Sequence, residues 1–135
     1  RLNVRFAGDV NNSEVTKAGE FSSSPEDSEL IFAPSHSMSL SVDYRLPLAN
    51  GWNIDFYLDR SWVAKQYISS QNTVNIPKFE RSNGRVTLRS PDEKWRVALY
   101  GTNLEDEEII YSRTATGSFF WHTPRQIGLE VGYQL

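Results

Sequence analysis

The chain has 135 residues, a formal net charge of −3 and a mean hydropathy of −0.51, and its length fits one domain. Its 14 basic and 17 acidic residues exclude the strongly basic surface of a typical nucleic-acid-binding domain. The absence of cysteine excludes disulfides, thiolate metal sites and a cysteine nucleophile. No apolar run approaches the roughly 18 residues of a membrane-spanning helix.

Apolar and polar residues alternate in six stretches, and a period of two predicts a β-strand with one apolar face. The predicted strands run from about Leu2 to Val10, Ser37 to Leu46, Trp52 to Tyr67, Phe79 to Ser90, Lys94 to Asn103 and Arg125 to Leu135. Helix signals are poor, and the best candidate is a single turn around Glu105 to Glu108. The sequence therefore predicts an all-β fold.

Short and long connections alternate between these strands. The short ones are Pro47 to Gly51, which contains the hairpin signal Asn-Gly, and Pro91 to Glu93. The long ones span about 11–36, 68–78 and 104–124. In an antiparallel up-and-down meander, alternate connections emerge at opposite ends, so all short turns lie at one end and all long loops at the other. Outer-membrane barrels show this asymmetry, with short periplasmic turns and long extracellular loops.

Charged residues of the predicted strands stand at the polar positions of the alternating pattern. They are Arg5, Asp9, Asp43, Arg45, Asp55, Asp59, Arg85, Arg89, Arg96 and Glu130. On the lipid face, an Arg or Lys near the midplane costs about 2–4 kcal/mol, which favours this segregation. The solvated face of a soluble sheet explains the same residues equally well.

Several segments resemble the late barrel strands of TonB-dependent outer-membrane receptors. Lys94 to Glu108 resembles a family strand of the type W-x-V-x-L-x-G-x-N-L that runs into an acidic loop. Pro124-Arg125 followed by Ile127 to Leu129 resembles the opening of the last strand, and Ala33 to His36 resembles the entry to an earlier one. Gly51-Trp52 with Asp55, and Tyr67 to Asn72, fit the same spacing. The resemblance covers the chain from about Ala33 onward.

The resemblance implies that residues 1–135 form the C-terminal segment of a barrel of about 22 strands, without the plug domain or the TonB box. It implies a fragment of a receptor for a scarce nutrient, most often a ferric siderophore, in the bacterial outer membrane. Its expected partners are outer-membrane lipid, the remaining strands and plug of the same protein, the TonB complex and a small metal chelate. Leu135 departs from the aromatic residue that usually ends the family, which weakens the expected assembly signal.

No catalytic constellation is found, so we expect neither an enzyme nor a cofactor. His36 and His122 lie on predicted loops without the ligand spacing of a metal site. The acidic run from Glu105 to Glu108 lacks the spaced oxygen ligands of a calcium loop and is interpreted as a solvated loop.

Aromatic residues before the last strand are the candidate ligand contacts. They stand in the third long connection and are Tyr111, Phe119, Phe120 and Trp121, followed by His122. Their rings could stack on a siderophore or a sugar, or they could belong to the aromatic girdle that anchors barrels in the membrane interface. Trp62 and Tyr67 fit an outer girdle, and Trp52 and Trp95 fit an inner one.

Three function classes remain open from the sequence. The first is a segment of an uptake receptor, which predicts Leu40, Leu58, Leu99 and Val131 on the outer face of one meander. The second is a soluble carbohydrate-binding β-sandwich, which predicts the same residues between two sheets. The third is another outer-membrane barrel, such as a porin.

Overall fold

The computed structural model describes residues 1–20, 22–114 and 117–135, whose regular structure consists of β-strands. The strands are β1 Leu2–Val10, β2 His36–Pro47, β3 Asn53–Val63, β4 Gln66–Tyr67, β5 Asn75–Ile76, β6 Phe79–Arg89, β7 Trp95–Thr102, β8 Ile110–Arg113, β9 Phe119–Trp121 and β10 Gln126–Tyr133. The helical turn expected around Glu105 to Glu108 is wrong. Asn103 and Asp106 have left-handed φ angles of 51° and 58°, which a right-handed helix does not accommodate.

Six strands form one antiparallel sheet, here called the main sheet, in the order β1-β2-β3-β6-β7-β10. The other four form two small hairpins, β4–β5 and β8–β9. Along the chain each strand of the main sheet pairs with the next, which confirms the predicted up-and-down meander of six strands. Strand β3 is shorter than predicted because Gln66–Tyr67 pairs with Asn75–Ile76 instead of continuing along β2.

Apolar residues form continuous rows across the main sheet. Val42 pairs with Leu58, Val86 pairs with Leu99, and Leu99 pairs in turn with Leu129. Because successive residues of a strand point to opposite sides, these rows share one side of the sheet. We call that side the apolar face and the other side the polar face.

The apolar face is open. The exposed fractions of Leu58, Leu99 and Val131 are 50%, 56% and 60%, and Leu40 is half-buried. In a sandwich these side chains would lie beneath a second sheet, but the described residues form only the main sheet and the two small hairpins. The fold therefore gives no support to the β-sandwich alternative.

Two short turns join strands at one end of the main sheet. Gly51, between β2 and β3, has a φ of 83°, which glycine adopts without strain. Between β6 and β7, Ser90 Oγ donates to Asp92 Oδ1 at 2.5 Å and accepts a bond from the Trp95 amide at 2.9 Å. The Ser90 hydroxyl lowers the pKa of Asp92, whose carboxylate also accepts the Lys94 amide at 3.2 Å. These bonds hold the second turn tight.

The long connections, 11–35, 64–78 and 103–125, emerge at the opposite end. Hairpin β4–β5 lies within the second and β8–β9 within the third. The predicted separation of short turns from long connections is therefore present. Ile76 and Ile109, in the second and third connections, are only 1% and 2% exposed, so a small apolar core lies at this end.

The first long connection is tied to the second. The Phe32 amide donates to the Tyr67 carbonyl at 2.8 Å. The Asn72 side chain accepts the Glu29 amide at 2.6 Å and donates to the Glu29 carbonyl at 2.9 Å. These bonds join the first and second long connections to each other at this end of the main sheet.

The apolar face carries an ionic network that the sequence reading did not anticipate. The ten charges assigned to the polar face lie there, but Arg60 and Glu80 lie on the apolar face, on β3 and β6. Arg60 forms ion pairs with Glu80 and, at 3.4 Å, with Glu105. Segregation of charge to one face is therefore incomplete at the end with the long connections.

The same region shows why a charge is accommodated on this face. Strand β6 extends beyond the end of β7, so its backbone needs other partners there. The Ser82 carbonyl accepts the Leu104 amide at 3.0 Å, and the Ser82 amide donates to Glu105 Oε2 at 3.0 Å. The Leu104 side chain lies over Gly84 and Gly101 on the apolar face. Residues 103–107 thus fold back onto the sheet.

No helix in the described part of the chain is long and apolar enough to cross a membrane.

Candidate ligand-contacting surface

Hairpin β8–β9 brings the candidate contact residues together at the end with the long connections. A register shift between Ile110 and Ser112 marks a β-bulge, which locally twists the hairpin. The predicted residues on it, or directly after it, are Tyr111, Phe119, Phe120, Trp121 and His122. The structure divides them into two ring groups.

The first group surrounds His122. Its ring centroid lies 5.2 Å from that of Tyr111 and 6.2 Å from that of Phe79, and Tyr111 lies 6.1 Å from Phe120. Burial lowers the pKa of His122, and the positive charge of Arg81 lowers it further. Both effects favour the neutral imidazole of His122, whose ring lies beside those of Tyr111 and Phe79.

The second group is a pair of exposed rings with a cation. The Phe119 and Trp121 centroids are 6.0 Å apart, and the Arg113 guanidinium lies 4.7 Å from the centre of the Phe119 ring. About half of the Trp121 surface is exposed. Rings beside a guanidinium can stack on a flat conjugated ligand and pair with an anionic oxygen.

A cleft of about 540 Å³ lies beside the hairpin. It is lined by Asp106, Glu107, Glu108, Trp121, His122 and Pro124. Asp106 accepts the Arg125 amide at 2.9 Å and pairs with the Arg125 guanidinium at 3.4 Å. Among the described residues, no group of three or more His, Asp or Glu side chains is placed to hold a metal ion.

Asn103 positions this cleft, and the sequence reading did not single it out. It is 2% exposed and accepts the Glu107 amide at 3.1 Å. Its Nδ2 donates to the carbonyls of Glu107, at 2.9 Å, and Thr123, at 3.4 Å. The side chain therefore joins the start and the end of the third long connection. The sequence signal that could have revealed it is the Asn-Leu pair directly after β7.

Arg113 and Phe79 were also missed. Arg113 stands in β8 among candidate aromatic residues, whereas Phe79 begins β6, more than thirty positions earlier. A basic residue within an aromatic run is a signal that could have revealed Arg113. No local pattern could have revealed Phe79, because only folding places it beside His122.

Ion pairs cover the polar face. Asp55 accepts Nε of Arg45 and Nε of Arg89, each at 2.6 Å. Further pairs on this face join Arg5 to Asp43, and both Arg85 and Arg96 to Glu130. Because these charged side chains remain partly exposed, the polar face can contact water.

Inner-girdle candidate Trp95 lies near the short turns with its ring 4.6 Å from that of Tyr133. At the opposite end, Trp62 stacks under the Arg60 guanidinium at 5.4 Å. Both positions are in register with the apolar face. The two tryptophans thus mark its two ends.

No family model matches the chain, and no curated protein matches it by sequence. Among solved structures it is similar to BauA, the ferric preacinetobactin receptor from Acinetobacter baumannii, with a TM-score of 0.76 and 18% sequence identity. The alignment covers 96% of this chain and 19% of the receptor chain. The chain therefore has the fold of one part of a siderophore receptor and spans about a fifth of that receptor's length.

Proposed function

We propose that the chain is part of the barrel wall of a TonB-dependent outer-membrane receptor that takes up a ferric siderophore. The observation that carries this proposal is the similarity of the six-stranded meander to BauA over 96% of the chain. The open apolar face and the separation of short turns from long connections support the same function, because both are characteristic of outer-membrane barrels.

In this proposal the apolar face contacts outer-membrane lipid, and the polar face lines the barrel interior. The short turns face the periplasm and the long connections face the outside. The remaining strands, the plug and the segment that binds the TonB complex belong to the same protein outside these 135 residues. The wall holds its ligand without catalysing a reaction and without a cofactor.

Hairpin β8–β9 is the part of the chain that would meet the ligand. The exposed pair Phe119 and Trp121 with Arg113 suits an anionic, conjugated metal chelate. The group of Tyr111, Phe120 and His122 supports the hairpin from its other side.

Cysteine labelling tests the orientation. Because the 135 residues contain no cysteine, single thiols can be placed by Ser118→Cys in the third long connection and Ala49→Cys in a short turn. Any cysteine elsewhere in the gene product is replaced first. A membrane-impermeant maleimide should label the first variant on intact cells, and the second only after the outer membrane is permeabilised. Equal labelling of both on intact cells would contradict the proposal.

Uptake tests the transport activity. Under iron limitation, deleting the gene should abolish energy-dependent uptake of one radiolabelled ferric siderophore, and restoring the gene should recover it. Unchanged uptake across a panel of catecholate, hydroxamate and mixed siderophores would argue against siderophore transport. The labelling result would still stand if the chain belonged to a different barrel.

A further inference from the structure

The sequence contains two Asn-Gly pairs, and the fold places them in opposite surroundings. Asn50-Gly51 lies in the exposed short turn between β2 and β3. Asn83-Gly84 lies inside β6, an inner strand of the main sheet. An asparagine that precedes glycine is chemically prone to lose its side-chain amide, because no side chain hinders attack by the glycine nitrogen. The two pairs therefore put one reactive dipeptide into two different structures.

The turn leaves both reacting groups of the first pair accessible. Oδ1 of Asn50 accepts the Trp52 amide at 3.2 Å, and this donor can also stabilise the negative charge that develops on Oδ1 when Cγ is attacked. The Gly51 amide donates to the Leu48 carbonyl at 3.0 Å. Because that bond lies in an exposed turn, local opening is sufficient to break it. The Gly51 nitrogen can thus become free while the main sheet stays intact.

Strand β6 restrains the second pair. Oδ1 of Asn83 also accepts an amide, that of Asn103, at 3.2 Å, but its Nδ2 is held by Asp59 Oδ2 at 2.8 Å. Gly84 pairs with residues of both β3 and β7, and every backbone amide of an inner antiparallel strand is bonded to one of its neighbours. The Gly84 nitrogen therefore becomes free only when strands of the main sheet separate.

We propose that Asn50 is a site of spontaneous deamidation and that the fold protects Asn83. The Gly51 nitrogen loses its proton to hydroxide and bonds to Cγ of Asn50. The bond from Cγ to Nδ2 breaks, and the nitrogen leaves as ammonia with a proton from water. Water then opens the cyclic succinimide at one of its two carbonyls, which gives aspartate or isoaspartate. The net change is the loss of ammonia and the gain of water.

The products change the turn itself. Either one adds a carboxylate, and isoaspartate also adds one carbon to the main chain. The Leu48 amide now closes this turn by donating to the Trp52 carbonyl at 2.8 Å. A longer main chain between these two residues should weaken that bond. The inference concerns the turn alone and does not depend on the proposed function.

Ageing of the full gene product in detergent tests the difference between the pairs. The folded protein is incubated in mildly alkaline water enriched in heavy oxygen and then digested with pepsin in acid, which stops the reaction. Mass spectrometry measures the heavy oxygen gained at each pair. We expect Asn50 to convert at least about tenfold faster than Asn83, which must wait for the sheet to open. In the denatured chain both should convert at similar rates.

Matched glutamine variants confirm the origin of the signal. Asn50→Gln should abolish the gain in the turn peptide, because the longer side chain closes a larger ring that forms slowly. Asn83→Gln should leave the conversion of Asn50 unchanged. Equal rates at the two pairs in the folded protein would overturn the proposal. Absence of conversion at Asn50 in the folded protein, while the denatured chain converts at both pairs, would overturn it as well.

Discussion

Single polar residues decide how the third long connection is built. Asn103 is buried, has a positive φ and joins 103–107 to the segment before β10. Asparagine suits this position because its short amide tolerates the left-handed region and offers both a donor and an acceptor. The Asn-Leu pair therefore has a physical role in this fold: Asn103 fixes the loop, and Leu104 lies over Gly84 and Gly101 on the apolar face.

Replacing Asn103 should destabilise the protein. Asn103→Ala removes three side-chain hydrogen bonds and leaves the Glu107 amide without its acceptor, so we expect the free energy of unfolding to fall by about 2–3 kcal/mol. Asn103→Gly loses the same bonds but adopts a positive φ without strain, so its free energy of unfolding should fall by about 1 kcal/mol less. Urea titration of the refolded protein in detergent measures both. Identical losses would show that backbone strain plays no part.

Hairpin β8–β9 shows how one short element can carry two different surfaces. Its strands alternate, so Phe120 contacts Tyr111, while Phe119 lies near Trp121 and Arg113, and all four rings remain partly exposed. The sequence identified the aromatic residues but could not divide them, because the β-bulge between Ile110 and Ser112 shifts the register. Whether these rings contact ligand stays a prediction.

The hairpin should loosen in acid. The pKa of His122 is lowered in the folded state, so below about pH 6.5, the ordinary value, the open state binds a proton more readily. The stability that the neutral ring provides is complete above that pH and is lost as pH falls toward the folded pKa. Hydrogen exchange of β8 and β9 between pH 7.5 and 5, corrected for intrinsic rates, should reveal the opening. His122→Phe should suppress it, whereas His36→Phe, outside the hairpin, should not.

In the molecule as a whole, the apolar face of the main sheet is uncovered, and the small apolar core lies among the long connections. Large apolar side chains of the main sheet remain exposed, while Ile76 and Ile109 are buried among the long connections. Such a face favours an apolar covering, because continuous exposed apolar area is unfavourable in water. In the proposed function that medium is lipid, and the edges of β1 and β10 pair with further strands.

An arginine substitution on each face of the main sheet tests whether that face contacts lipid or water. Val42→Arg puts a cation on the apolar face in the middle of β2, where we expect a loss of about 2–4 kcal/mol in folding into lipid vesicles. Ser41→Arg is the matched control, since it puts the same side chain on the polar face, in register with Asp59. Urea titration of vesicle-folded protein measures the difference. Equal tolerance of both arginines would contradict a lipid-facing apolar side.

The alternation of apolar and polar residues was sufficient to predict the strands of the main sheet. It assigns each side chain to a face, and the connection lengths favour an up-and-down order, but a sandwich of two sheets stayed open until the structure showed one sheet. That is why strands such as Leu2–Val10 and Gln126–Tyr133 were predicted closely.

Tertiary contacts decided everything that joins distant segments. The Arg60–Glu80–Glu105 network, the burial of Asn103 and the approach of Phe79 to His122 each bring together residues about twenty or more positions apart. A period of two predicts the face of a residue but not its partner across a loop. Residues 103–107 adopt their path because the unpaired backbone of Ser82, near the start of β6, must be hydrogen-bonded, which only the folded chain can arrange.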